Sequence, residues 1–366
     1  MKTVRHRTTG TGTTVSEVFH TAELQRRYER IVARLSEDHE RYFDEPMPPV
    51  FTPILSIRRP SSELVKCHVQ TTRRSLNLYV KFFLVKKDSA EYYERVTRRI
   101  QQDAEITSEL YKTLAPTSLY AVPRIVACFL EDRVMVMEES EGQPLLDLIM
   151  QKGRGNPSTA ALDELTEYCH NIGAWLKNFQ YLTRTTTKQT IHWDDFIEYI
   201  NIRLAKLESS PRFLKRGNPE SIRHALKKIL QDAPQNEFFS CGVHSDLALS
   251  NILVKTDRIT VLDFSMYKID CHYNDPAYFY TRLDNLLYQP FFKKYVIREI
   301  QESFLSSYES KNAIENLIFR SYYIRHKINY LVDLAMTYHL PMIKRYYQNY
   351  QFRRCLRDVN AVTTSC

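Results

Sequence analysis

The sequence predicts an α+β protein of two lobes, a small antiparallel β-sheet lobe followed by a larger, mainly helical one. Three observations carry that class. Residues 51–83 and 122–137 read as short β-rich runs bounded by turn residues. From Thr159 onward, apolar residues recur at the three- and four-residue spacing of helices with one buried face. A chain of 366 residues is also too long for one simple core, so two lobes are the natural division.

Composition bounds the class of protein. Hydrophobic residues at 43% and charged residues at 26% are those of an ordinary globular chain. No run approaches the length of a membrane-spanning helix, and the start Met1-Lys2-Thr3-Val4-Arg5-His6-Arg7 lacks the apolar core of a secretory signal. Seven cysteines, an odd number with no Cys-x-x-Cys pair, point to reduced thiols and a cytoplasmic setting rather than a disulfide framework or zinc site. The net charge of +8 suits an anionic ligand such as a nucleotide, or an anionic membrane face, and does not by itself indicate nucleic acid.

Taken in order, residues 1–50 read as an arm and a helix, 51–140 as the small lobe and 141–366 as the large one. Met1 to about Val15 is basic and without periodicity. Ser16 is a candidate cap, and Glu23 to Tyr42 is a charged amphipathic helix stopped by Glu45-Pro46-Met47-Pro48-Pro49. Pro53–Ile57, Leu64–Val69 and Leu76–Phe83 read as three antiparallel strands, with Arg58-Arg59-Pro60-Ser61-Ser62 as the first connection. Lys81 sits in the middle of an apolar strand, where a lysine is costly unless paired. A helix from Asp88 to Leu114 and strands at 122–127 and 133–137 complete the small lobe.

In the large lobe Leu162, Leu165, Tyr168, Ile172, Trp175, Leu176 and Phe179 mark a long helix, and His192-Trp193-Asp194-Asp195 opens another with carboxylates at its positive end. Asp194 and Asp195 could instead meet an amine or sugar. Tyr322, Arg325, His326 and Tyr330 form a stripe at helical spacing, which is more often core than substrate wall. The closing stretch Lys344 to Arg354 mixes basic and aromatic residues; a packed helix is the first reading, peripheral contact with an anionic membrane the second.

The most informative stretch is His244-Ser245-Asp246-Leu247-Ala248-Leu249-Ser250-Asn251 and the hairpin after it. Asn251–Lys255 and Arg258–Leu262 are β-rich runs joined by Thr256-Asp257, which places Asn251 and Asp263 at the same end, with Asp246 on the loop leading in. Two carboxylates and an amide oxygen converging there can hold Mg²⁺ and orient a hydroxyl nucleophile.

The pattern His-x-Asp-x-x-x-x-Asn followed by Leu262-Asp263-Phe264 resembles the protein-kinase-like two-lobe fold, and its aminoglycoside-phosphotransferase-like branch in particular. Asn274-Asp275-Pro276-Ala277-Tyr278-Phe279 is similar to the stretch that follows the metal-binding Asp in that branch. Ala248 stands where protein kinases carry a lysine, and Ser265 replaces the glycine of Asp-Phe-Gly.

The resemblance implies a kinase that moves the γ-phosphate of ATP or GTP to an alcohol. It makes Asp246 the catalytic residue and Asn251 and Asp263 the Mg²⁺ ligands. It pairs Lys81 with Glu105, or failing that Glu109, and aims the ammonium at the nucleotide phosphates. Arg58 and Arg59 fall on the phosphate-covering turn, here without glycine, and the backbone of Glu138, Glu139 and Ser140 would meet the purine, their acidic side chains facing solvent. His244 packs beneath the loop and Asp275 fixes it from below. Val122-Pro123-Arg124 and Asp263-Phe264-Ser265-Met266-Tyr267, with Asp275-Pro276-Ala277-Tyr278-Phe279, look like members associated with bacterial surface-glycan assembly, so a sugar or lipid-linked glycan is the expected acceptor, with the inner face of the membrane as one setting. The alternatives are an aminoglycoside kinase and a catalytically inactive scaffold on the same fold; nucleic acid is disfavoured as a partner.

Overall fold

Alternating burial along residues 50–83 turns three strands into a meander. β1 (Val50–Arg58), β2 (Ser62–Gln70) and β3 (Ser75–Phe83) pair antiparallel, and Val65, Cys67, Val69, Leu78, Val80 and Phe82 point to one buried face. The chain is seen here as a computed structural model that describes residues 18–114, 119–185, 193–210, 213, 217–233, 238–256, 258–308, 313–336 and 341–364. It divides into two units, residues 1–116 with 122–140 and residues 117–121 with 141–366.

In the first unit β5 (Ile125–Phe129) and β6 (Val134–Glu138) extend the meander to a five-stranded sheet, ordered β1-β2-β3-β6-β5. α1 (Ala22–Glu37) lays Leu24, Tyr28, Ile31 and Leu35 on the sheet's buried face, and α2 (His39–Phe43) adds Phe43. Thr21 caps α1 by accepting the Leu24 N–H at 3.1 Å; Ser16, the candidate from the sequence, lies outside the described residues. Asp132, on the β5–β6 turn, accepts from Arg34 at 2.7 Å and from Arg30 at 2.8 Å, and so ties α1 to the sheet. α3 (Ala90–Leu114) buries Ile100, Asp103, Ala104, Thr107, Leu110 and Leu114 along a single face.

The second unit is mainly helical. β4 (Tyr120–Ala121) pairs parallel with β10 (Arg258–Val261), which pairs antiparallel with β9 (Ile252–Lys255) and so with β7 (Gln143–Pro144). Gly142 enters β7 with φ +123°, and a Cβ there would sit 2.8 Å from the Val254 carbonyl oxygen. β8 (Ser240–Val243) pairs with β11 (Lys268–Cys271). The helices are α4 (Leu145–Lys152), α5 (Thr159–Leu182), α6 (Trp193–Glu208), α7 (Pro219–Asp232), α8 (Asn274–Asp284), α9 (Lys294–Tyr308), α10 (Leu317–Met336) and α11 (Met342–Thr364). α5 buries Leu165, Ile172, Trp175, Leu176 and Phe179, as its periodicity requires. It meets α9 at Gly173, where a Cβ would lie 2.4 Å from the Phe304 carbonyl oxygen.

Within the stripe on α10, Tyr322 and His326 are buried and Tyr322 donates to Asp270 at 2.8 Å, so both are core. α11 buries Phe352, Cys355, Leu356 and Val359. Among the described residues no helix is long and apolar enough to cross a membrane.

Candidate active site

The β9–β10 register, with Ile252 opposite Val261, puts the residues before β9 and after β10 side by side. The Leu262 N–H donates to the Asn251 carbonyl at 2.9 Å, so Asn251 and Asp263 flank one backbone hydrogen bond. Two residues here hold left-handed backbone without being glycine, Ser245 at φ +63° and Asp263 at φ +70°. Each such conformation costs about 1–3 kcal/mol and persists only where its surroundings fix it. For Ser245 the fixing group is Asp275.

Asp275 is fully buried in the first turn of α8 and accepts two backbone N–H groups, from His244 at 2.6 Å and from Ser245 at 2.8 Å. Burial pushes its carboxyl up, opposed by His244 and by those two amides. The buried His244 ring joins the loop to the far side of the hairpin: Nε2 meets the Leu262 carbonyl at 2.9 Å and Nδ1 meets the Asp246 N–H at 3.2 Å. A carbonyl can only accept and an amide N–H can only donate, so the ring carries its proton on Nε2. Phe264 is fully buried and packs against this ring at 4.7 Å.

Asp246 stands above this base. Its carbonyl accepts the Asn251 side-chain amide at 3.0 Å and the Ala248 N–H at 2.7 Å, while carboxylate Oδ1 accepts the Tyr278 hydroxyl at 2.6 Å. Burial, together with the Asp246 charge, pushes the Tyr278 hydroxyl up, so it stays a donor at every working pH. Tyr278 was not among the residues singled out from the sequence, although it lies in the stretch 274–279. It follows Asp275 by three positions on α8, so one helix face sets both the loop's anchor and the carboxylate's hydrogen-bond partner.

In the first unit Lys81 is half-buried on β3, its partner lying on α3 as expected but at a different position. Lys81 Nζ is 3.6 Å from Asp103 Oδ2, and the Asp103 side chain is 1% exposed. Glu105, the partner expected from the sequence, is exposed and accepts from Gln101 at 2.8 Å, and the fallback Glu109 is exposed too. The reason is helical rotation: two residues at about 100° each turn Glu105 away from the face that carries Asp103. Asp103 was legible as a carboxylate one position before Ala104 and three after Ile100, on the apolar stripe.

The other expectations for this unit are altered in detail. The turn after β1 is tight, closed by the Arg59 N–H on the Ser62 carbonyl at 2.8 Å, so that amide is already spent; Arg58 and Arg59 are exposed. The acidic side chains at the end of β6 do not face solvent as free charges. Glu138 accepts from Arg124 at 2.6 Å, and Glu139 from Lys66 at 2.5 Å and Asn77 at 2.8 Å. Their amides donate to Arg124 and Asn77 carbonyls at 2.9 and 2.8 Å, so the donor part of any purine contact passes to Ser140.

The sequence pattern of the phosphotransferase enzyme family, APH, matches residues 66–302, more than half of the chain, and spans every group just described from Lys81 to Tyr278. The chain belongs to this family. This APH phosphotransferase is therefore an enzyme of kinase type, with an alcohol as phosphoryl acceptor. Solved structures agree on the fold. The ethanolamine kinase of Plasmodium vivax has a TM-score of 0.56 at 14% identity, over 94% of this chain and 93% of that one. The choline kinase LicA of Streptococcus pneumoniae gives 0.54 at 15%, over 92% and 99%. The ADP-bound aminoglycoside phosphotransferase APH(2'')-Ib gives 0.50 at 16%, over 89% and 97%. A search of curated proteins by sequence returns no match.

The donor set in this phosphotransferase fits a hard divalent cation. The Asn251 amide nitrogen is committed to the Asp246 carbonyl, so its oxygen is the end available to a metal, and Asp263 adds a carboxylate at the same end of the hairpin. Two protein oxygens, with substrate phosphate and water completing the shell, are what Mg²⁺ takes. Asp194 belongs elsewhere: it lines a groove of about 720 Å³ between α6 and α7, with Glu198, Asn201 and Lys227.

Proposed function

We propose that this enzyme is a Mg²⁺-dependent kinase that moves the γ-phosphate of ATP or GTP to a hydroxyl of a sugar, free or lipid-linked. The observation that carries the reading is the Asp246 carboxylate. Tyr278 holds one of its oxygens and the His244–Asp275 base fixes the loop, leaving Oδ2 for an acceptor hydroxyl. As the new O–P bond forms, the acceptor proton passes to Asp246 Oδ2 and the bond between the β- and γ-phosphates breaks, releasing the nucleoside diphosphate. Asn251 Oδ1 and Asp263 would hold Mg²⁺, which neutralises charge on the phosphates. Lys81, paired with Asp103, supplies a second cation for them, Arg58 and Arg59 further charge, and the end of β6 the purine contact.

The sugar reading is supported by the resemblance of segments 122–124, 263–267 and 275–279 to enzymes of bacterial surface-glycan assembly. An aminoglycoside, choline or ethanolamine acceptor, as the names of the three similar structures suggest, would call for carboxylates near Asp246; Asp194 lines a different groove, while Asp333 is close enough to act on Tyr278, as is Arg282. A site at the inner face of a membrane is supported by the first turns of α11, where Met342, Ile343 and Tyr346 are exposed beside Lys344 and Arg345. Liposome flotation with and without anionic lipid checks that setting.

A nucleotide-dependent phosphorylation screen over monosaccharides, lipid-linked glycans, aminoglycosides, choline and ethanolamine tests the main reading. Asp246→Asn should abolish transfer while Mg²⁺-nucleotide affinity by calorimetry stays close to wild type; turnover in that variant removes the assignment. Asp263→Ala should weaken Mg²⁺-nucleotide binding, and unchanged affinity would count against its metal role.

A further inference from the structure

A cavity of about 600 Å³ opens in the second unit between the C-terminal half of α5, the end of α9 and the residues flanking β8 and β11. None of Asp246, Asn251, Asp263 and Tyr278 lines it, so it is separate from the candidate active site. Hydrogen bonds fix its floor. Buried Gln180 donates to the His272 carbonyl at 2.7 Å and accepts the Tyr308 hydroxyl at 2.7 Å. The His272 N–H donates to the Phe239 carbonyl at 3.1 Å, the Phe239 N–H donates to His272 Nδ1 at 3.3 Å, and the two rings stack at 4.2 Å. Because Nδ1 accepts, the ring proton sits on Nε2. His272 is only 3% exposed, yet Nε2 meets no acceptor among the described residues.

The same cavity carries two cations, Lys177 and Arg184, and among the described residues no Asp or Glu lines it or pairs with either. Arg184 is held in place on both sides. The Gly242 N–H donates to the Thr183 carbonyl at 3.2 Å, the Thr185 N–H donates to the Ser240 carbonyl at 3.1 Å, and the guanidinium lies 4.6 Å over the Phe239 ring. Lys177 and Tyr181 stand one turn apart on α5, and Tyr120 and Ala174 add apolar wall. Unspent donors, positive charge and aromatic walls, within the roughly 300–1,000 Å³ of small-molecule sites, together specify a ligand. We infer that this cavity binds a small anion with a flat apolar body, an aromatic carboxylate or aryl phosphate, its charged head received by Arg184, Lys177 and the His272 Nε2–H. The inference goes beyond the proposed phosphoryl transfer and does not depend on it.

The test is a ligand-observed NMR titration of the full chain, with and without excess Mg²⁺-ADP, using phenylacetate, phenyl phosphate, neutral phenylacetamide and acetate. At least one of the two aromatic anions should bind roughly tenfold or more tighter than phenylacetamide, as expected for a charged hydrogen bond, and tighter than acetate, with Mg²⁺-ADP making no difference. Comparing phenylacetate with phenyl phosphate tells which head is read. Arg184→Gln and Lys177→Gln, both at exposed positions, should each weaken the anion roughly tenfold and leave phenylacetamide unchanged, and Arg184→Lys should restore part of the loss. Ala174→Phe, which fills the cavity without touching its charges, should remove binding of the aromatic anion; a thermal melt confirms that each variant is folded. Equal affinity for the anions and the amide overturns the inference, as does anion affinity that neither Gln variant changes. Displacement by Mg²⁺-ADP would move the ligand to the nucleotide site, and acetate binding as tightly as the aromatic anions would leave an adventitious ion only; either result also overturns it. So does the absence of binding by both aromatic anions at millimolar concentration.

Discussion

The Tyr278 hydroxyl occupies one oxygen of Asp246 at 2.6 Å and, in the proposed transfer, leaves the other for the acceptor proton. Removing it in Tyr278→Phe should lower kcat roughly tenfold, the scale of one hydrogen bond to a charged group, with little change in nucleotide KM. Steady-state kinetics beside a thermal melt checks this; an unchanged kcat in a folded variant makes Tyr278 merely structural. The Lys81 pair offers a sharper contrast between neighbours. Asp103→Asn should lower kcat/KM for the nucleotide, because the half-buried Lys81 ammonium loses the charge beside it. Glu105→Ala, on the outer face, should shift stability by no more than about 0.5 kcal/mol and leave the kinetics alone. Equal losses in the two variants would undo the assignment of Asp103. Sequence alone exposed Lys81 as a lysine needing a partner, and located the helix that supplies it. It chose the wrong carboxylate because motif spacing was weighted above helical phase.

At the scale of elements, the strands of the first sheet, the long helices and the β9–β10 hairpin were all legible, because period two and period 3.6 leave plain marks on a sequence. What a period does not record is how closely two elements approach. α5 and α9 meet so tightly at Gly173 that an added Cβ would press on the Phe304 carbonyl oxygen at 2.4 Å and the Ser307 hydroxyl. The hydroxyl can rotate aside, while the backbone carbonyl cannot. Gly173→Ala should therefore destabilise the second unit by about 1–3 kcal/mol despite the better helix propensity of alanine, read from urea denaturation. A stabilised variant would mean that the two helices can part without cost.

At the scale of the whole chain, the second unit is knotted together by one buried cation. Lys327 on α10 is fully buried, 2.5 Å from Asp284 at the end of α8, 3.0 Å from Asn285 and 2.7 Å from the Tyr288 hydroxyl, which itself reaches Asp358 of α11 at 2.5 Å. Burial alone would raise the Asp284 carboxyl, yet Lys327, Tyr323 and Arg298 outweigh it and hold the group below its ordinary 3.8. A carboxyl lowered on folding adds stability above its unfolded value and loses it as pH falls through the folded one. The contribution should thus be full at neutral pH and drain away only below about pH 3.8. Lys327→Met, which strands Asp284, should cost about 3–5 kcal/mol at pH 7. The gap from wild type should narrow in acid, and urea curves at both pH values give the comparison. The sequence by itself determined the two-lobed α+β plan, the hairpin that brings Asn251 beside Asp263, and the family, because local periods and short ordered motifs survive without coordinates. Only the tertiary structure decided that Asp103 faces Lys81 and that Tyr278 holds Asp246. Each of those depends on which side chains meet across elements distant in the chain, a matter of rotation and approach that no spacing along one strand of text encodes.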